Sequence, residues 1–149
     1  MLSSQIIDSD RRACRHSKRF RNEQGYPVRS IGPAGKQRHF YEHRLVYAEA
    51  HGPIPNGLTI DHLCHTWDET CAGGPSCLHR RCVEPTHLEA VTPRENALRG
   101  RGPSAVNARK THCKRGHEFT PENTYYRSDR RNGTRQCKTC LTGRLGWTV

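Results

Sequence analysis

The sequence predicts an α+β fold made of two small modules, each held by cysteine and histidine rather than by a large apolar core. Three observations predict it. Hydrophobic residues make up 32% of 149 positions, too few to bury a sizeable core at this length. Eight cysteines and ten histidines are present, many closely spaced along the chain, the material of a metal staple. The apolar residues fall in short runs punctuated by Gly and Pro, which reads as brief strands and turns with few helices.

Residues 1–13 read as a polar, flexible N-terminus. A first module spans 14–100. It opens with short strands at 26–31 and 38–41, joined by the turn cluster Gly32-Pro33-Ala34-Gly35. A helix follows from His43 to His51, with Leu45, Val46 and Ala48 as its apolar face, and Gly52-Pro53 stops it. Leu58-Thr59-Ile60 is a brief strand leading into Asp61-His62. A long cysteine-rich loop runs from Cys64 to Cys82, and residues 87–91 form the returning strand. The clearest local signal comes next. Thr92 is a helix N-cap, Pro93 fits the first helical position, Glu95 completes a capping box, and Gly100 is a stop. The order strand, loop, strand, helix therefore brings Asn96 next to the strand pair. Residues 101–111 read as a flexible basic linker. In the second module, 112–149, Asn132-Gly133 is a hairpin turn between strands near 124–127 and 134–136.

The formal net charge is +11, which points to a polyanionic partner, normally nucleic acid. The charge is unevenly spread: residues 44–99 hold five Lys/Arg against seven Asp/Glu, whereas 100–149 hold eleven against three. No apolar run reaches the ~20 residues of a membrane span, so no membrane partner is expected. The first ten residues carry no secretion signal. The expected compartment is the reducing cytoplasm, where clustered cysteines serve as metal ligands more often than as disulfides.

In the second module, Cys113 and His117 form one pair and Cys137 and Cys140 another, with the hairpin between them. That is the layout of a tetrahedral structural zinc site. Phe119, Tyr125, Tyr126 and Trp147 are the main candidates for its small core. The first module offers Cys64, Cys71, Cys77, Cys82 and His87, with Cys14 far upstream and His65 and His79 among them. Cys64, Cys82 and His87 bracket the loop, and a zinc there would fix its ends. Cys14, Cys71 and Cys77 compete for the fourth position. Cys71 and Cys77 belong alternatively to a second small site, or are plain buried thiols. Two or three structural zinc ions are expected.

Asp61-His62 at a strand end, with Asn96 on the helix that follows, suits metal-assisted phosphodiester hydrolysis. Mg2+ or Mn2+ takes oxygen ligands, which Asp61 and the Asn96 side-chain carbonyl supply. A neutral imidazole at His62 can accept the proton of an attacking water. The competing reading makes His62 another zinc ligand.

At this point the chain resembles a known family. His62-x-Cys64, Cys82-x4-His87 and Asn96 resemble the His-Cys box of homing endonucleases, within the HNH or ββα-metal superfamily. His43-Arg44, Gly52-Pro53-Ile54-Pro55, Asp61-His62-Leu63-Cys64, His87-Leu88-Glu89, Val91-Thr92 and Glu95-Asn96 resemble phage and actinobacterial HNH endonucleases. The resemblance covers about residues 14–100, and similar proteins often carry a zinc ribbon like residues 113–140. It implies His62 as general base, Asn96 as holder of the catalytic metal and Asp61 as co-ligand. It also implies Cys64, Cys82, His87 and the upstream Cys14 as zinc ligands, and Arg44 as a contact to the scissile phosphate. Two departures stand out. Glu84-Pro85 replaces the Asn-Pro of many relatives, and the segment from His65 to Arg81 is longer than the minimal box, adding Cys71 and Cys77.

The resulting expectation is a DNA endonuclease of phage or mobile-element type. It would act on double-stranded DNA in a bacterial or phage-infected cell, as a monomer or a homodimer. The alternative is a non-catalytic, zinc-dependent DNA-binding protein, and RNA cleavage is a weaker third reading.

Overall fold

The computed structural model describes residues 13–127 and 134–145. The chain divides into two compact units, Met1–Arg101 and Gly102–Val149. The sequence-level readings of most of the N-terminus, of the Asn132-Gly133 turn and of Trp147 lie outside the described residues.

In the first unit, β1 (Val28–Ile31) and β2 (Arg38–Tyr41) form an antiparallel hairpin with Val28 opposite Tyr41. The helix α1 (Glu42–His51) follows directly. β3 (Thr59–His62) pairs antiparallel with β4 (Leu88–Val91), placing Asp61 opposite Glu89 and His62 opposite Leu88. Between these strands run the short helix α2 (Leu63–Trp67) and 3-10 turns at Leu78–Arg81 and Pro85–His87, so the cysteine-rich segment is more ordered than a loop. The helix α3 (Pro93–Arg99) then lies against β3. Thr92 accepts from the Glu95 backbone N–H while the Glu95 carboxylate accepts from the Thr92 N–H, the reciprocal cap that the local residues dictate.

The apolar core of this unit is thin. Ile60, Val83, Leu88 and Val91 are its buried aliphatic members, joined by Cys64, Cys77 and Cys82. α1 also departs from its apolar pattern. Its buried residues are Glu42 and His43, while Leu45 and Val46 are half-buried and Ala48 is exposed. The reason is polar pairing at the helix start: the Ser17 hydroxyl and the Arg19 Nε (2.8 Å) both donate to the Glu42 carboxylate. A buried carboxylate is tolerated because its lone pairs are met.

In the second unit, residues read as a linker form a helix instead: α4 (Pro103–Arg109), with Pro at its first turn and Ala105 fully buried. The basic composition hid a helix that needs a single apolar anchor. β5 (Thr124–Arg127) and β6 (Thr134–Cys137) pair antiparallel, and α5 (Lys138–Leu145) follows. Tyr125 and Tyr126 are exposed rather than core. Phe119 is half-buried, with the Arg135 guanidinium 3.9 Å from its ring centre. The fold is a small α+β one, and among the described residues no helix is long and apolar enough to cross a membrane.

Candidate metal centres and active site

Cys14 reaches Cys82 because residues 15–17 pair with 81–83 as a short β-like bridge. Ser17 donates to the Arg81 carbonyl and Val83 to the Arg15 carbonyl, both at 2.8 Å. The side chains of Arg15 and Arg81 reinforce the pair by donating back to Val83 O and Ser17 O. Cys64 comes from α2, and His87 ends the 3-10 turn before β4. The donor atoms of Cys14, Cys64, Cys82 and His87 all lie within 4.8 Å of one another. His87 Nδ1 is 3.4 Å from Cys82 Sγ and 3.7 Å from Cys14 Sγ.

The thiols of this cluster cannot all ionise unaided. The Cys64 thiol hydrogen-bonds to Cys82, which raises Cys64 and lowers Cys82 to about 5. Burial, aided by the neighbouring Cys82 charge, pushes Cys14 up to about 11. A soft divalent cation removes that mutual penalty, and three sulfurs with one imidazole fit tetrahedral zinc. Cys71 and Cys77 lie apart from this cluster, in a second one with His65 and His79, whose donor atoms also lie within 4.8 Å. The sequence reading noted His65 and His79 among these cysteines but assigned ligands of a second site only to Cys71 and Cys77. Cys113, His117, Cys137 and Cys140 form the third cluster, with His117 Nδ1 3.3 Å from Cys140 Sγ and 3.5 Å from Cys113 Sγ. Each of the three groups can hold a zinc ion.

Asp61 and His62 are adjacent at the end of β3 and are both buried. His62 Nε2 lies 3.2 Å from the Cys82 carbonyl oxygen, so that nitrogen carries the hydrogen and donates it. The ring centre is 4.8 Å from that of His43 and 6.0 Å from that of Tyr26. Burial lowers His62 to about 4 and His43 to about 3, so both imidazoles are neutral in the neutral pH range. Arg44 lies beside His43, where its charge further disfavours the imidazolium. It also lines a shallow groove with Phe40, Leu45, Pro53 and Ile54. Asn96 is half-buried on α3. From the last turn of α3, Arg99 donates to Asp61 Oδ2 at 3.2 Å and also to the Glu89 carboxylate. The sequence reading missed Arg99 and the ring contacts that Tyr26 and His43 make with His62. Only the β3–β4 register, with Asp61 opposite Glu89, exposes the Arg99 bridge.

Short strands and helices thus surround the Cys/His clusters, and an Asp-His pair closes β3. The HNH endonuclease family matches residues 40–67, which run from β2 through Asp61-His62 to the end of α2. The chain is 35% identical over 81 residues to the "Uncharacterized gene 5.3 protein" of Enterobacteria phage T3, covering 53% of this chain and 67% of that protein. It belongs to that protein's family. It is also 31% identical over 55 residues to "Protein 7.7" of Escherichia phage T7, covering 37% of this chain and 32% of that one. No solved structure matches the chain.

Proposed function

We propose that this chain is a metal-dependent DNA endonuclease that hydrolyses phosphodiester bonds, with His62 as general base. The observation that carries the reading is the His62 imidazole, held through one nitrogen inside the segment that matches HNH endonucleases. With Nε2–H given to the Cys82 carbonyl, the lone pair sits on Nδ1, the nitrogen that would take the proton from an attacking water. Burial keeps that lone pair unprotonated at neutral pH. Asp61 and Asn96 would hold Mg2+ or Mn2+ through oxygen, an ion that neutralises charge on the scissile phosphate and the leaving oxygen. Arg99 fixes one oxygen of Asp61 and so orients the carboxylate. Arg44 would meet the DNA phosphate, and the net charge of +11 would draw the polyanion in. The phage origin of both relatives supports a phage-borne nuclease.

Nicking of supercoiled plasmid in Mg2+ or Mn2+, for wild type and His62→Ala, tests the reading. The substitution is expected to cost about 10²- to 10⁴-fold in rate, the usual contribution of a general base. Equal activity of the two proteins would remove His62 from the role. DNA binding without nicking, in either metal, would leave a zinc-dependent DNA-binding protein.

A further inference from the structure

The segment between His62 and Cys82 holds four metal donors that the proposed chemistry does not use. His65 Nδ1 lies 3.7 Å and His79 Nδ1 3.6 Å from Cys77 Sγ, and Cys71 Sγ lies 3.4 Å from it. Two thiolates and two neutral imidazoles would make a neutral zinc site, suited to partly buried surroundings. A second feature points the same way. The outer nitrogen of His79, Nε2, faces Asp68 Oδ2 at 3.6 Å, the carboxylate–histidine arrangement that typically backs a metal ligand. The Arg101 guanidinium donates to the carbonyls of Asp68 and Cys71, closing the same turn from outside.

Apolar packing of this segment is slight, its main contact being half-buried Trp67 edge-on to the His87 ring. From His65 to Arg81 the only buried residue is Cys77. Gly73 and Gly74 both adopt positive φ, which is costly in entropy to fix. Yet the segment is tightly fitted. A Cβ on Gly25 would sit 2.2 Å from the Pro75 carbonyl oxygen, so the 22–26 turn and this loop touch backbone to backbone.

The chain leaving the cluster leads straight to His62. Arg80, next to His79, donates to the Gln24 carbonyl and lies 4.9 Å over the Tyr26 ring, which in turn faces His62. Two residues later, the Cys82 carbonyl takes the His62 hydrogen bond. At the other end, His65 stands on α2, three residues past His62.

We infer that His65, Cys71, Cys77 and His79 bind a zinc ion of their own, and that this loop zinc positions His62 by fixing the Arg80–Cys82 backbone. The metal site stands on its own geometry. The positioning role rests on the reading of His62 as general base.

The test uses the full chain purified with zinc under reducing conditions. Elemental analysis should find three zinc ions per wild-type chain, two in the Cys71→Ser/Cys77→Ser variant, and three again in Cys77→His, which restores a donor. Cobalt loading should show the same loss and recovery of tetrahedral absorption. Two ions in wild type, with Cys71 and Cys77 titrating as free thiols, would overturn the site, as would full zinc content in the double serine variant. If that variant fails to fold, Asp68→Asn decides. It should release one zinc to chelator at about 10- to 100-fold lower chelator concentration than wild type, and unchanged release counts against the site. For the positioning role, the double serine variant should lose roughly 10- to 100-fold in kcat with little change in KM, and Cys77→His should recover it. Three zincs in wild type with undiminished cleavage by the two-zinc variant would overturn the positioning role alone. Zinc counts need no DNA, so they stand whether or not the chain proves to be a nuclease.

Discussion

Arg99 governs how Asp61 presents its carboxylate. The β3–β4 register sets Asp61 directly opposite Glu89, and one guanidinium answers both. Without it, two like charges would face each other across a strand pair, which is destabilising. Arg99→Ala is expected to lower stability by about 1 kcal/mol, a figure kept small because the pair is partly solvated, and to lower it more at low salt. Denaturant unfolding at two salt concentrations checks this. Arg99→Ala/Glu89→Gln should regain most of the loss, and an unchanged midpoint in the single variant would refute the bridge. His43 makes a second residue-scale case. Burial, then the nearby His62 and Arg44, lowers it from 6.5 to about 3, and its Nδ1 has no hydrogen-bond partner among the described residues. The folded state therefore refuses a proton that the unfolded chain accepts. The neutral-ring stability is complete above the unfolded value of 6.5 and is lost as pH falls toward about 3. His43→Phe should flatten that acid slope relative to wild type, read as unfolding midpoints across the window. Asp61 and His62 were legible because they are adjacent in sequence at a strand end. Arg99 and Tyr26 were not, because their partners are set by tertiary register.

Elements whose ends are fixed by neighbouring residues were legible, and elements fixed at a distance were not. α3 is the clearest of the first kind: Thr92, Pro93 and Glu95 specify its start among themselves, and both halves of the capping box form. Thr92→Ala should cost about 1 kcal/mol of stability. Because α3, which lies against β3, also carries Asn96, the proposed Mg2+ ligand, the same substitution should also weaken activation by Mg2+ more than it weakens DNA binding. Circular dichroism melts and a Mg2+ titration of nicking check the two halves. A loss of stability without a shift in the Mg2+ response would detach the cap from the active site. Cys14 belongs to the second kind. It stands 73 residues before His87, and only the bridge between its strand-like segment and residues 81–83 brings it in. α1 misled for a physical reason. Its apolar stripe suggested burial of Leu45 and Val46, but the carboxylate pairing at Glu42 pulls the first turn inward instead. His65 and His79 were visible among the cysteines but not assignable to a site, because loop geometry, not spacing, turns their Nδ1 atoms toward Cys77.

Among the described residues, three clusters of Cys and His donors, each able to hold a metal ion, stand where larger domains have a hydrophobic core. Among the described residues of the second unit, only Ala105 and Cys137 are buried, so a metal ion held by Cys113, His117, Cys137 and Cys140 would supply much of its folding energy. That leaves its surface free to be basic. Residues 100–149 carry eleven Lys/Arg against three Asp/Glu, whereas 44–99, which hold Asp61, His62 and Asn96, are slightly acidic. The division suggests separate tasks on the proposed reading: the basic segment supplies affinity and the HNH segment supplies chemistry. Phosphate contacts release counterions, so each one adds about −0.9 to the slope of log K against log salt on duplex DNA. Lys114 and Arg115 are exposed in the turn between Cys113 and His117. Lys114→Ala/Arg115→Ala should therefore reduce the magnitude of the slope by roughly two and weaken binding to all sequences alike. The cleavage rate at saturating protein should stay the same. Fluorescence anisotropy with short duplexes at several salt concentrations reads the slope, and single-turnover nicking reads the rate. An unchanged slope would move the phosphate contacts elsewhere on the chain, and a reduced single-turnover rate would tie the second unit to catalysis itself.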